Sequence, residues 1–97
     1  MSKIMPGGWN ILSTPEKLTK ELEAGFEEAT KEIIGVSYSP LYIAAKQVVA
    51  GMNYIIICKS ISSTLEPFES LAAVKLYEDV QHNCKVVSIV DILGSLK

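Results

Sequence analysis

One helical pattern followed only by strand-like segments is the feature that most limits the fold of this 97-residue chain. Ser13, Pro15 and Glu16 form a helix-start signal, in which Ser13 can cap the helix and Glu16 can complete a capping box. Apolar residues then recur at steps of three and four: Leu18, Leu22, Phe26, Ala29 and Ile33. The pattern predicts one amphipathic helix over residues 13–35, which ends near Gly35.

The chain after Gly35 is rich in β-branched and aromatic residues and predicts four strands. They cover residues 38–49, 53–61, 71–80 and 85–93. Pro40 cannot donate to a strand ladder, so we expect it at an edge or a bulge. The short connections after the first and third of these strands predict antiparallel hairpins. The result is a single two-layer α+β domain over residues 1–97: a flexible arm at 1–12, the helix, and a sheet within 36–97.

Charge and hydropathy exclude several classes of partner. The net charge is −2, and the nine Lys and Arg positions are spread along the chain, which disfavours nucleic acid as a partner. The apolar runs fall short of the roughly 20 residues that a membrane-spanning helix needs. The first residues are also too short and too interrupted for a signal peptide. We therefore expect a cytoplasmic protein with no nucleic-acid and no membrane partner.

The residues that carry catalysis or bind metals are scarce. Cys58 and Cys84 lie in predicted strands, outside any CxxC or Cys/His cluster, which favours two reduced thiols over a disulfide. His82 is the sole histidine, and an ordinary turn histidine is favoured over a nucleophilic pair with Cys84 because nothing orients its ring. The helix carboxylates alternate with lysines, as on a solvated face. We expect a binding protein that is not an enzyme and needs no cofactor or metal.

The most unusual segment is the predicted hairpin tip Gln47-Val48-Val49-Ala50-Gly51. It is uncharged and mostly apolar, at a place where proteins usually put charged residues or Asn-Gly turns. An exposed tip of this kind can be a contact surface. It can equally be two strand ends that meet at a glycine, and the pattern alone does not separate these two interpretations.

These five residues resemble the Gln-x-Val-x-Gly hairpin motif of the cystatin superfamily without substitution, and Asn53-Tyr54 continues the likeness. The segment Met5-Pro6-Gly7-Gly8, the chain length and the lack of disulfides resemble the single-domain stefins. The resemblance implies a cystatin-like fold, with one long helix across a four-stranded antiparallel sheet and room for a short N-terminal strand. It also implies reversible inhibition of papain-like cysteine peptidases.

By position, the resemblance implies a wedge of three parts that enters the peptidase cleft. The trunk is Met5, Pro6, Gly7 and Gly8; the first loop is Gln47, Val48, Val49, Ala50 and Gly51; the second loop is Val80, Gln81, His82 and Asn83. The second loop departs from the Leu-Pro-Gly pattern common in stefins. Trp9 is expected either to pack on the sheet edge or to contact the enzyme.

Two other functions remain open on the sequence. One is a cystatin-fold interaction or self-assembling module that blocks no peptidase, and the other is a small enzyme on the same architecture. We expect a monomer. A domain-swapped dimer is the alternative, because a short tip between two long strands can open and exchange halves between molecules.

Overall fold

The computed structural model of the chain describes residues 8–95, with side chains through residue 93. Its elements are β1 (Trp9–Glu16), α1 (Lys20–Thr30), β2 (Val36–Val49), β3 (Gly51–Ser62), β4 (Glu69–Glu78), β5 (Cys84–Asp91) and α2 (Ile92–Ser95). The five strands form one antiparallel sheet in the order β1-β2-β3-β4-β5, and α1 packs on one of its faces. The α+β class predicted from the sequence is confirmed, with β1 added to the four strands expected after the helix.

Strand β1 replaces the predicted start of the helix. Trp9 and Ile11 lie opposite Gln47 and Ala45 of β2, and the pairing continues, after an irregularity, to Glu16. The helix start at Ser13 is therefore wrong, and so is the flexible arm over residues 9–12, which belong to β1. Residues 1–7 of the predicted arm lie outside the described residues. An edge strand accepts Pro15, because one side of the strand needs no hydrogen-bond donor.

Helix α1 begins later and ends earlier than predicted. The Thr19 hydroxyl accepts a hydrogen bond from Leu22 N at 3.1 Å, and this cap starts the helix at Lys20. The Thr30 hydroxyl donates a hydrogen bond to the Phe26 carbonyl at 2.9 Å. This side-chain hydrogen bond competes with the backbone hydrogen bonds that would continue the helix. Gly35, with a φ of 93°, then redirects the chain into β2. The helix has 11 residues instead of the more than 20 predicted.

The core lies between α1 and the sheet. Leu22 and Phe26 are buried on the helix side, as the periodicity predicted. On the sheet side they meet buried side chains from the three central strands: Ile43, Ile56, Cys58, Val74 and Leu76. Ile34, beyond the end of the helix, is 96% exposed.

The pairing of β2 to β5 contains three register shifts, which leave Leu41 and Ala44 of β2 and Val87 of β5 as extra residues. Pro40 lies opposite Cys58 and Tyr42 opposite Ile57, so one extra residue stands between them, which confirms the bulge expected at this proline. In β5 the pairing passes from Val86 to Ser88 and leaves Val87 as an extra residue. Strand β5 ends at Asp91 and α2 follows, so the predicted extension of this strand to residue 93 is wrong. Within residues 8–95, no helix has the length and apolar character to span a bilayer.

Candidate functional site: the loop edge

Three parts of the chain named by the resemblance meet at one end of the sheet. Trp9, at the start of β1, lies opposite Gln47, near the end of β2. Met52, at the start of β3, lies opposite Glu78, the last residue of β4. Gly8, the first loop (residues 47–51) and the second loop (residues 80–83) therefore share this end, which we call the loop edge. Met5, Pro6 and Gly7 lie outside the described residues.

The first loop is held in a fixed shape by β4. Gly51 has a φ of 109°, which favours glycine, and a Cβ at this position would overlap the carbonyl oxygen of Glu78. The Tyr77 hydroxyl donates a hydrogen bond to the carbonyl oxygen of Ala50. Ala50 and Val49 are exposed at the tip, with Val49 at 38%. The tip is therefore an exposed apolar surface whose backbone is held by contacts with β4.

A row of side chains crosses the outer face of the sheet, away from α1, just beneath the first loop. Its members lie opposite one another on successive strands: Trp9, Gln47, Asn53, Tyr77 and Lys85. The Asn53 amide donates to Gln47 Oε1 at 2.8 Å and so orients Gln47. The Trp9 ring packs on this face, with Lys75 Nζ 5.7 Å from its centroid. Trp9 therefore packs on the sheet, one of the two expectations for it, and its contact with an enzyme stays a prediction.

The second loop is organised by a residue that the sequence analysis missed, Asp79. Its carboxylate accepts hydrogen bonds from Gln81 N at 2.8 Å and Asn83 N at 2.9 Å. These bonds, chiefly the one from Asn83, lower the pKa of Asp79. His82 takes a φ of 68° in this turn, and Val80 is 75% exposed at its tip. The spacing of Asp79 and Asn83 across a short connection is a turn signal that could have identified this residue.

Glu78 joins the second loop to the face of the sheet covered by α1. Its carboxylate accepts a hydrogen bond from the Tyr54 hydroxyl at 3.2 Å and lies 3.4 Å from His82 Nδ1. Burial, with a contribution from the Glu78 charge, raises the pKa of Tyr54 to about 12. His82 thus has a carboxylate neighbour, Glu78, which the sequence did not predict, while its side chain remains 80% exposed as in an ordinary turn histidine.

The two cysteines are free thiols with raised pKa values. Burial raises the pKa of Cys58 to about 12; burial, together with the nearby carboxylates, raises that of Cys84 to about 11. An activated nucleophilic thiol needs the opposite shift. Cys58 and Cys84 lie opposite Ala72 and Glu78, positions six residues apart on β4, or roughly 20 Å at strand rise. Within residues 8–95, no group of three His, Cys, Asp or Glu side chains could hold a metal ion.

Comparison of the chain with protein-family models finds no match. None of the curated proteins and none of the solved structures matches it either. The function is therefore inferred from the residues of the loop edge.

Proposed function

We propose that this chain is a reversible, tight-binding inhibitor of papain-like cysteine peptidases, with a cystatin-like fold of the stefin type. The observation that carries this proposal is the apolar tip Gln47–Gly51, held rigid at the same end of the sheet as Gly8 and the second loop. In this role the chain acts by occupying the active-site cleft. It catalyses no reaction and needs no cofactor.

The chemistry of the first loop suits a cleft. Val49 and Ala50 carry no charge, so moving them out of water leaves no unpaired ion behind. The Tyr77 hydrogen bond and the close packing of Gly51 on Glu78 order the tip before any partner arrives. Preorganisation reduces the entropy lost on binding and favours tight association from a modest contact area.

The other two parts of the wedge fit the same role. Val80 provides a second exposed apolar side chain. It lies on a turn that is stabilised by the hydrogen bonds from Gln81 N and Asn83 N to the Asp79 carboxylate. Gly7 and Gly8 have no side chains, so the backbone of the trunk can pass close to a cleft wall. Met5, which precedes them in the chain, can then fill an apolar subsite. Inhibition without cleavage follows if none of the three parts lays an extended peptide across the catalytic cysteine.

The test is inhibition of papain, or of a cathepsin, measured with a fluorogenic substrate. We expect Val49→Asp to weaken inhibition by at least about 100-fold, because it buries an unpaired charge in the cleft. Deleting residues 1–8 should weaken inhibition less, mainly through faster dissociation. Leu65→Asp is the matched control: Leu65 is fully exposed in the β3–β4 loop, at the opposite end of the sheet, and inhibition should not change.

Two results would count against these assignments. If the folded wild-type protein at micromolar concentration does not reduce peptidase activity, the proposal of an inhibitor is wrong. A cystatin-fold interaction or self-assembling module is then favoured. If Val49→Asp and the truncated chain both inhibit as strongly as the wild type, the first loop and the trunk do not enter the cleft, and the three-part wedge is wrong.

A further inference from the structure

Three consecutive residues at the end of β4 contact both loops of the loop edge. They are Tyr77 and Glu78, the last residues of the strand, and Asp79, which follows them; we call them the β4 end. Strand β4 lies between β3, which begins in the first loop, and β5, which follows the second loop. The β4 end is therefore adjacent to both loops at once.

On the side of the first loop, the β4 end fixes the backbone at two neighbouring points. The Tyr77 hydroxyl donates a hydrogen bond to the carbonyl oxygen of Ala50. The Glu78 carbonyl oxygen lies so close to Gly51 that a Cβ there would overlap it. Both contacts are made to the backbone of the loop, and the Val49 side chain stays exposed at the tip.

On the side of the second loop, Asp79 closes the turn with four hydrogen bonds. Its Oδ1 atom accepts from Gln81 N at 2.8 Å and from Asn83 N at 2.9 Å. Its backbone N–H donates to the Asn83 carbonyl, and its carbonyl accepts from His82 N, both at 2.9 Å. Backbone N–H groups bind an ionised carboxylate more strongly than a neutral acceptor. The closed turn leaves Val80 exposed at its tip.

Two contacts connect these two sets of bonds across the β4 end. On the outer face, Lys85, at the start of β5, places its Nζ 5.8 Å from the centroid of the Tyr77 ring, whose hydroxyl holds the first loop. On the face covered by α1, the Glu78 carboxylate lies 3.4 Å from His82 Nδ1, in the second loop. The carbonyl of the same glutamate packs against Gly51. A change in one loop can therefore reach the other through one or two side chains.

We propose that Tyr77 and Asp79 are positioning residues of the inhibitor, a role that rests on the proposed function, and that the β4 end joins the two loops into one preorganised unit. The unit sets the spacing between Val49 and Val80 before a peptidase arrives. Preorganisation reduces the entropy lost on binding. Loosening either support therefore weakens inhibition, mainly through faster dissociation.

Inhibition of papain, measured with a fluorogenic substrate, tests the role of Asp79. Asp79→Ala should raise the dissociation rate constant at least about tenfold, because two charge-assisted hydrogen bonds are lost. Asp79→Asn should stay within about threefold of the wild type, because its amide oxygen can accept the same two bonds. A direct contact between the Asp79 charge and the enzyme would instead make the asparagine variant as weak as the alanine variant.

A second pair of variants tests the coupling between the loops. Tyr77→Phe keeps the ring beside Lys85 but removes the hydroxyl, and should raise the dissociation rate constant about fivefold. Combined with Asp79→Ala, it should cost less than the product of the two single losses, because either change already loosens the unit. Thr64→Ala is the matched control. It removes a side-chain hydrogen bond to the Glu66 carbonyl at the opposite end of the sheet and should inhibit as the wild type does.

Backbone amide relaxation, measured by NMR on the free chain, tests the same coupling without a peptidase. Asp79→Ala should lower the order parameters of Gln81 and Asn83 and, through the β4 end, those of Val49 and Ala50 in the first loop. Asp79→Asn should restore both loops. Far-UV circular dichroism establishes that each variant is folded.

The possible failures can be told apart. If Asp79→Ala and Tyr77→Phe both inhibit as the wild type does, or if Asp79→Asn restores nothing, the positioning roles are wrong and the inhibitor stands. Losses that multiply, together with motion confined to the second loop, would overturn the coupling. If the wild type inhibits no peptidase, the proposed function is wrong and the roles in inhibition fall with it. The relaxation measurement then decides alone whether the β4 end couples the loops.

Discussion

At the scale of single residues, the loop edge depends on contacts that cross between strands. Gly51 is fixed both by its backbone angle and by the approach of the Glu78 carbonyl, while Tyr77 anchors the neighbouring carbonyl of Ala50. The tip can therefore be uncharged and still be ordered. A comparison with Gly35 separates the two constraints on Gly51, because Gly35 has a φ of 93° but open space, with no atom within 4 Å, where an alanine would place its Cβ.

Gly51→Ala should lower the free energy of unfolding by roughly 2–4 kcal/mol, the sum of backbone strain and overlap with Glu78. Gly35→Ala should cost only about 1–2 kcal/mol, because it carries the backbone strain alone. Urea unfolding of both variants measures the difference. Equal losses would show that the close approach to β4 contributes nothing.

At the scale of elements, the sequence predicted the four later strands, both hairpins and the bulge at Pro40, because alternation and turn residues are local signals. The helix boundaries were wrong for a long-range reason. Residues 13–16 contain a plausible capping box, but the pairing of β1 with β2 includes Glu16 in a strand. The actual cap, Thr19, lacks a Glu or Gln three residues later and so gave a weaker signal.

The motif Gln47–Gly51 could be found from the sequence, whereas the residues that hold its backbone in place could not. Tyr77 lies 27 residues from Ala50 along the chain, and no periodicity links them. Asp79 was missed because the predicted strand over residues 71–80 included it, whereas β4 ends at Glu78 and Asp79 belongs to the turn.

The packing of α1 on β5 gives a prediction for Gly25, in the middle of the helix. Gly→Ala in a helix usually adds about 1 kcal/mol of stability. Here a Cβ would lie 2.5 Å from Cys84 Sγ, and the resulting overpacking should make Gly25→Ala destabilising by about 1 kcal/mol. In a Cys84→Ala background the same change should stabilise by about 1 kcal/mol. A double-mutant cycle from urea unfolding that gives no coupling would contradict this contact.

At the scale of the whole molecule, three buried or partly buried acids make the fold sensitive to alkali. The pKa values of Cys58, Tyr54 and Cys84 are raised to about 12, 12 and 11, chiefly by burial. The folded chain thus holds these protons more tightly than the unfolded chain does. Stability from this source is complete below the ordinary thiol pKa of 9.0 and is lost as the pH rises through the folded values.

We therefore expect the free energy of unfolding to be level near pH 8 and to fall steadily between about pH 9 and about pH 12. Cys58→Ala removes the more buried of the two thiols. This variant should be less stable than the wild type at pH 8, but its free energy of unfolding should fall less steeply as the pH rises. Unfolding by urea at half-unit pH intervals measures both slopes. Identical slopes would mean that Cys58 keeps an ordinary pKa in the folded chain.

The order of strands in the sheet repeats their order along the chain, and this has a consequence for how the chain folds. Each later strand can join by closing a hairpin, and the widest pair across β2 and β3, Val36 with Ser62, is reached by zipping outwards from Gly51. Among β2 to β5, neighbours along the chain are also neighbours in the sheet, which favours faster folding than long crossover connections between the same strands would allow. The turn that we propose to enter a peptidase cleft would then also nucleate the sheet, so we expect changes at Gly51 to alter the folding rate as well as the proposed binding to a peptidase.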